Sequence, residues 1–483
     1  MAEDKELKRG LSLPMAVFII IGMVIGSSIW VSPATELSKI GPGMFISYIV
    51  AVIPAVFVAY IVAYIGSAFP VAGGTYVVAS RLTGGFGGFM TVWLVILAVG
   101  AALSFLAATF GLFLAQVIGI PEQFEMIFVI LIAVLVLIVF CLLNWIKIHL
   151  SGLIELILTI VGDILVMIIF IIAAIPHFSP SNFDPIFPNG IPPVLFGALT
   201  FFFAYVGFTL IIDVAGEVKN PKRNIPLALI ISLPILTLLY ALQSLMVAGI
   251  HPWDDPEPVE TVIEIIIYQG ILPHEMTVFI TILIAIAIAS TLHPSYMAYS
   301  RDILMAGRDQ MFPKVFGKVH KKYKTPIPAL ILLLCVGVAI LLIFIPLLGP
   351  EYGIGTTAVL LSAVVATVVL ILQIPLCIAV FVLPKKFPKW HEKSGFKPSI
   401  RSLKVMGIIG AIVSFIFLLL LFTEPDAGLI IALIVFPFAG VGAIVYLIRK
   451  AVLKKRGINI KEIMKTLPES VSLDEEGPGK AEA

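Results

Sequence analysis

The chain is dominated by about twelve apolar runs, each long enough for the ~20 helical residues that cross a ~30 Å hydrocarbon core. In lipid every backbone N–H and C=O must be satisfied internally, so runs of this length predict membrane-spanning helices. They lie near 13–36, 43–66, 86–118, 125–145, 149–175, 192–213, 226–250, 275–299, 327–347, 355–383, 403–422 and 427–448. The expected fold class is all-α and integral to a lipid bilayer. A composition of 60% hydrophobic and 12% charged residues excludes an ordinary soluble domain. The net charge of +2 offers nothing to nucleic acid. The first run is longer than a signal-peptide core and reads as a retained span. Cys141, Cys335 and Cys377 all fall in apolar runs and form neither a metal spacing nor a disulfide framework.

Orientation follows from the basic residues. With a cytoplasmic N-terminus, Arg81, Lys147, Lys219, Arg223, the clusters 301–324 and 385–404 and the tail from Arg449 all fall inside. Lys39 alone falls outside, with acids such as Asp254, Asp255 and Glu260. That asymmetry predicts an even number of spans with both termini cytoplasmic, in a plasma membrane by default. The outer segment 251–274 holds an apolar piece read as a short helix at the membrane interface. The tail beyond Arg449 reads as solvated, because its composition cannot bury a core.

Gly22 to Trp30, GMVIGSSIW, sits inside the first span and is a poor helix interior. Small residues there either let two helices approach closely or mark a break whose freed backbone groups face a cavity or ligand. The sixth span has a glycine at similar depth, in Tyr205-Val206-Gly207-Phe208. Interruptions five spans apart point to an inverted-repeat transporter with its site between discontinuous helices. The start of a half-helix suits a carboxylate, and the carbonyls ending another suit an ammonium or a cation.

IGMVIGSSIWVSPA, FPVAGGTYVVASRLTGG, AYVGFTLIIDVAGEVKNPKRNIP and SRDILMAGRDQMFPKVFGKVHKKYKTPIPAL together resemble signatures of the amino acid, polyamine and organocation (APC) superfamily. The likeness runs from about Leu11 to Lys450. It implies a five-plus-five inverted repeat with discontinuous helices 1 and 6, plus two extra helices, that moves amino acids or amines by alternating access. The expected division is a tail at 1–12, repeats at 13–175 and 192–383, two added spans at 403–448 and a tail at 449–483. By this resemblance Met23, Val24, Ile25, Gly26, Ser27 and Ser28 receive the substrate carboxylate. Tyr205, Val206 and Gly207 offer carbonyls to its amine, and Phe208 gates. Ser28 replaces the usual third glycine of the motif, and Tyr64 stands where many members carry Glu. The outer loop after the third span, IPEQFE, lacks the Cys through which some relatives attach a single-span partner, so no disulfide-linked partner is expected.

An ionisable residue at mid-bilayer needs a partner or a purpose. Asp163 has that placement in the fifth span. With the hydroxyls of Ser290 and Thr291 and freed first-span carbonyls it makes an oxygen shell suited to Na⁺. Asp163 as a carrier of H⁺ is the other option, and exchange without either ion a third. No other cofactor is expected. Asp213 and Glu217 form a candidate inner gate with Arg301, Arg308 or Asp309. The third, sixth, eighth and tenth spans offer Trp93, Phe105, Phe202, Phe203, Thr356, Ser362 and aliphatics to a substrate side chain, and no mid-depth acid. That predicts symport or antiport of a neutral, apolar L-amino acid. The rivals are a cationic amino acid or polyamine exchanger and, from another class, a sensor or ion channel. No nucleophile or paired-His constellation suggests an enzyme.

Overall fold

The computed structural model describes residues 11–68, 74–146, 157, 159–212, 215, 218–256, 259–422 and 428–466, with the backbone alone at 289–290, 393 and 421–422. Among these residues the chain is helical and carries no strand, only one isolated bridge joining Leu11 to Val218. Eleven helices are long and apolar enough to cross a membrane, and a bent pair raises the number to as many as twelve. The pair is α1 (Leu13–Val24) and α2 (Ser28–Ile40), bent by 41°. There follow α3 (Met44–Ala68), α4 (Gly74–Ile118) and α5 (Glu122–Trp145). The next span opens with a π-helical turn, Thr159–Leu165, and continues as α6 (Val166–Ala174). Then come α7 (Pro192–Phe202), α8 (Pro221–Ile250), the short α9 (Val262–Tyr268) and α10 (His274–Arg308). The chain closes with α11 (Ile327–Tyr352), α12 (Ile354–Ala379), α13 (Ile400–Phe422), α14 (Gly428–Lys455) and the single turn α15 (Ile460–Ile463).

Lipid tails are as apolar as leucine, so close backbone approach rather than hydrophobicity assembles such helices. Glycine supplies it. A Cβ at Gly111 of α4 would fall 2.9 Å from the Val129 carbonyl oxygen of α5. A Cβ at Gly100 would collide with Val336 of α11 at 2.5 Å. α4 is the central span, with 83% of its apolar window buried, against 28% for α5 and 22% for α14. The last two therefore present most of their surface to lipid.

The chain departs from or adds to its sequence reading in three places. α4 begins at Gly74, ahead of the expected start, because Gly84, at a φ of 87°, joins a preceding helical segment to the span proper as a kink. α9, the short helix expected in the outer segment, packs one side into the protein. Val262, Ile263, Ile265 and Ile266 are fully buried, and a capping box between Thr261 and Glu264 fixes its first turn. The segment after Arg449 is ordered helix and turn as far as Thr466, where the Thr466 carbonyl accepts a bond from Arg81 Nε at 2.9 Å.

Candidate functional site

α1 stops at Val24 because Ile25 turns extended, with ψ at 110°. Helix resumes only where Trp30 N–H reaches Ser27 O at 3.0 Å. The first N–H groups of α2 have no intrahelical carbonyl, and the dipole leaves that end partly positive. The sixth span breaks in the same manner. α7 tightens into a 3-10 turn at Phe203–Tyr205, Val206 goes extended, and Gly207 takes a φ of 125° before a second 3-10 turn, Phe208–Ile212.

The two breaks touch. A Cβ on Gly207 would lie 2.5 Å from the carbonyl oxygen of Met23. α8 satisfies the freed carbonyls from behind: the Tyr240 hydroxyl lies 3.2 Å from Val24 O and 3.1 Å from Ala204 O, so one proton serves both breaks. Gln243 Nε2 donates to Ile29 O at 2.9 Å, and Tyr205 Oη to Tyr48 O at 2.9 Å. Ser27 Oγ is fully buried and has no partner among the described residues.

A narrow cavity of about 80 Å³ lies against these breaks. Met23, Val24, Gly26 and Ser28 line it from the first span, and Phe203, Val206, Gly207 and Leu210 from the sixth. Its remaining wall is branched and aliphatic, including Val95 and Val99 of α4 and Val365, Val368 and Val369 of α12. Thr291, Ser295 and Tyr299 of α10 supply its polar side, and no charged residue lines it. Thr291 and Ser295 donate their hydroxyl protons to Ala287 O and Thr291 O, at 3.2 Å and 2.9 Å, which leaves their lone pairs free to accept or coordinate.

Of the expected substrate residues, Ile25, Ser27, Tyr205 and Phe208 are buried but do not line the cavity. Asp163, 4% exposed in the π-helical turn, also stands outside the lining. Its neighbour Gly162 packs on Ala287, one helical turn before Thr291, which does line it. Ser290 lies in α10, but its side chain is outside what the structure describes. Asp213 and Glu217 lie outside the described residues, and Arg301 is half-buried near the end of α10. Among the aromatics, Phe203 lines the cavity and Phe105 meets it edge-on at 5.1 Å from behind. Trp93 faces away and lines a different cavity, while Phe202 packs on Phe417. Tyr64, at the position where many superfamily members carry Glu, bonds His391 Nδ1 at 2.8 Å.

One ionic cluster escaped the sequence reading. Arg81, 1% exposed, pairs with Asp309 at the end of α10, and Tyr76 Oη donates to the same carboxylate at 2.9 Å. Asp302 accepts from Tyr76 N–H at 3.0 Å. Together these groups fasten the start of α4 to the end of α10, the helix that carries Thr291. Arg81 carries a topology signal as well, and nothing in its own neighbourhood of sequence marks the partner.

Two interrupted spans facing a small, uncharged cavity inside a helical bundle define a membrane carrier of small solutes. The chain belongs to the amino acid permease family: the family profile described as Amino acid permease matches residues 11–446. It is 28% identical to the methylthioribose transporter of Bacillus subtilis over 67% of this chain and 73% of that protein. It is likewise 28% identical to the branched-chain amino acid permease BcaP of the same organism, over 67% of this chain and 72% of that one. The human cystine/glutamate transporter is 27% identical over 68% of this chain and 67% of its own. It is thus a multi-pass membrane permease.

Proposed function

We propose that this permease carries a neutral, branched apolar L-amino acid by alternating access through the cavity between the breaks. The uncharged, valine-rich lining carries the reading. A cationic side chain or polyamine would bury a charge without a partner there, which costs several kcal/mol. The N–H groups that open α2 at Gly26 to Ser28 receive the substrate carboxylate, and the carbonyls around Tyr205 and Val206 receive its ammonium. Phe208 acts from behind this wall as the gating aromatic. The name of one relative, a branched-chain amino acid permease, agrees with the reading. The position of the chain is the plasma membrane with both termini cytoplasmic.

Cation coupling belongs to the same reading. Na⁺ is held by the Thr291 and Ser290 hydroxyls with Asp163, and the lone pairs left on Thr291 support this. Asp163 as an H⁺ carrier is the alternative. Asp213 and Glu217 with Arg301 form the inner gate. Ligand-induced stabilisation of the purified full chain tests the substrate class. Saturation at 100 times Kd contributes about 2.7 kcal/mol to stability, so leucine, isoleucine or valine should raise the melting temperature where arginine and putrescine do not. Stabilisation by arginine alone would transfer the assignment to the cationic exchanger.

A further inference from the structure

A second cavity, about 500 Å³, lies away from the breaks, between α4, α11, α14 and the segment after α10. Phe89, Trp93, Phe312 and Phe438 build its floor, with Trp93 stacked on Phe438 at 5.1 Å and Phe89 on Phe312 at 5.3 Å. It opens laterally: Ile448 on its rim is 60% exposed, on a helix that turns most of its surface to lipid. Every lining residue is apolar except Arg449.

Arg449 is fixed in place. Its Nε donates to Gln310 O at 2.9 Å and its Nη2 to Phe312 O at 3.3 Å. Both acceptors are neutral carbonyls, and among the described residues Arg449 has no carboxylate partner. Nη1 is left for a ligand. Lys450, Lys454, Lys455 and Arg456 follow it, so this end of α14 is uniformly basic. From Arg449 back to Phe438 the helix rises about 16 Å at 1.5 Å per residue. Half of a ~30 Å hydrocarbon core is about 15 Å. The groove therefore runs from headgroup level to near the bilayer midplane, the reach of one acyl chain in one leaflet.

We propose that this groove is a binding site for a single anionic phospholipid, its chain on the aromatic floor and its phosphate at the Arg449 guanidinium. A basic pocket between helices on the basic side of a membrane protein has the charge and the depth for such a headgroup. The site is independent of what the permease transports.

Trp93 reports occupancy. The full chain is placed in phosphatidylcholine bilayers doped with phosphatidylglycerol, with brominated acyl chains on one lipid or the other. Quenching of Trp93 is read as wild type minus Trp93→Phe. Brominated phosphatidylglycerol should quench at a several-fold lower mole fraction than brominated phosphatidylcholine, and saturably. Arg449→Gln should abolish the preference and Arg449→Lys retain most of it. If Arg449→Gln does not fold, Val445→Phe, which fills the groove and leaves the charge, should remove the saturable component. Equal quenching by the two lipids would reduce the groove to ordinary annular contact and overturn the proposal. Absence of Trp93 quenching by either would overturn it too, and would indicate a groove closed or filled by another occupant such as a helical partner.

Discussion

Gly207 of the sixth span rests on the Met23 carbonyl of the first, so closely that a single added carbon would lie 2.5 Å from that oxygen. The two interruptions are thus one structure. Its left-handed φ of 125° is also one that only glycine adopts without strain. Gly207→Ala should cost about 1–3 kcal/mol of stability and abolish uptake, whereas Gly440→Ala, in open space inside α14, should leave uptake unchanged and cost no stability. Melting temperature and uptake on the same preparations check both.

Tyr240 holds the carbonyls of both breaks with one hydroxyl. Tyr240→Phe keeps the tilted contact with the Tyr48 ring and the edge contact with Tyr205 yet leaves Val24 O and Ala204 O without that proton. A lost bond to a buried acceptor costs about 1–3 kcal/mol, and the cavity wall loosens with it. The expected result is a folded variant with uptake reduced several-fold, and a substrate Kd raised more than its melting temperature is lowered. Unchanged affinity would mean that α8 does not position the breaks.

These two features differ in how readable they were. The first-span and sixth-span interruptions stand out because glycine and serine contradict the helix around them. Which aromatic faces the cavity does not, since a span apolar all round gives no moment to orient it. Trp93 and Phe105 looked equivalent to Phe203 for that reason, and only packing separates them. The Arg81–Asp309 pair joins residues far apart in the chain: Arg81 read as a topology signal and Asp309 as an inner-gate candidate, and neither marked the other as its partner. The order from Arg449 to Thr466 was hidden too, because a mostly polar segment becomes ordered here by seating Met464 and Ile460 on the bundle and Thr466 on Arg81 rather than by burying a core of its own.

Breaking the Arg81 cluster should be costly. Asp309→Asn leaves a buried guanidinium unpaired, worth about 3–5 kcal/mol. Deleting residues 466–483 removes the Thr466 acceptor but keeps Met464 and Ile460 packed on the bundle, and should cost near 1 kcal/mol. Thermal unfolding of both variants should rank them in that order, and the reverse order would assign the anchoring to the C-terminal segment.

Glu260 predicts a pH dependence on the opposite face. Its carboxylate accepts from Gly355 N–H at 2.9 Å at the start of α12, and burial pushes its pKa up to about 7, the Gly355 bond opposing part of that rise. Its folded pKa lies above its unfolded value near 4.5. The group therefore contributes stability that is complete below about 4.5 and lost as pH rises through about 7. Glu260→Gln should raise the melting temperature at pH 8, change it little near pH 4.5, and flatten the slope between. A slope unchanged by Glu260→Gln would place the titration elsewhere.

The central claim is transport of a neutral, branched amino acid through the joined breaks. Its most direct test is uptake of labelled leucine into proteoliposomes under a Na⁺ gradient, a pH gradient, or preloaded amino acid, with unlabelled competitors. The account predicts saturable leucine uptake, competed by isoleucine and valine, not by arginine or putrescine, and absent in Gly207→Ala. Loss of concentrative uptake in Asp163→Asn under one gradient alone identifies the coupling ion. A folded preparation that takes up arginine and ignores leucine, or that moves no amino acid under any of the three conditions, would contradict it.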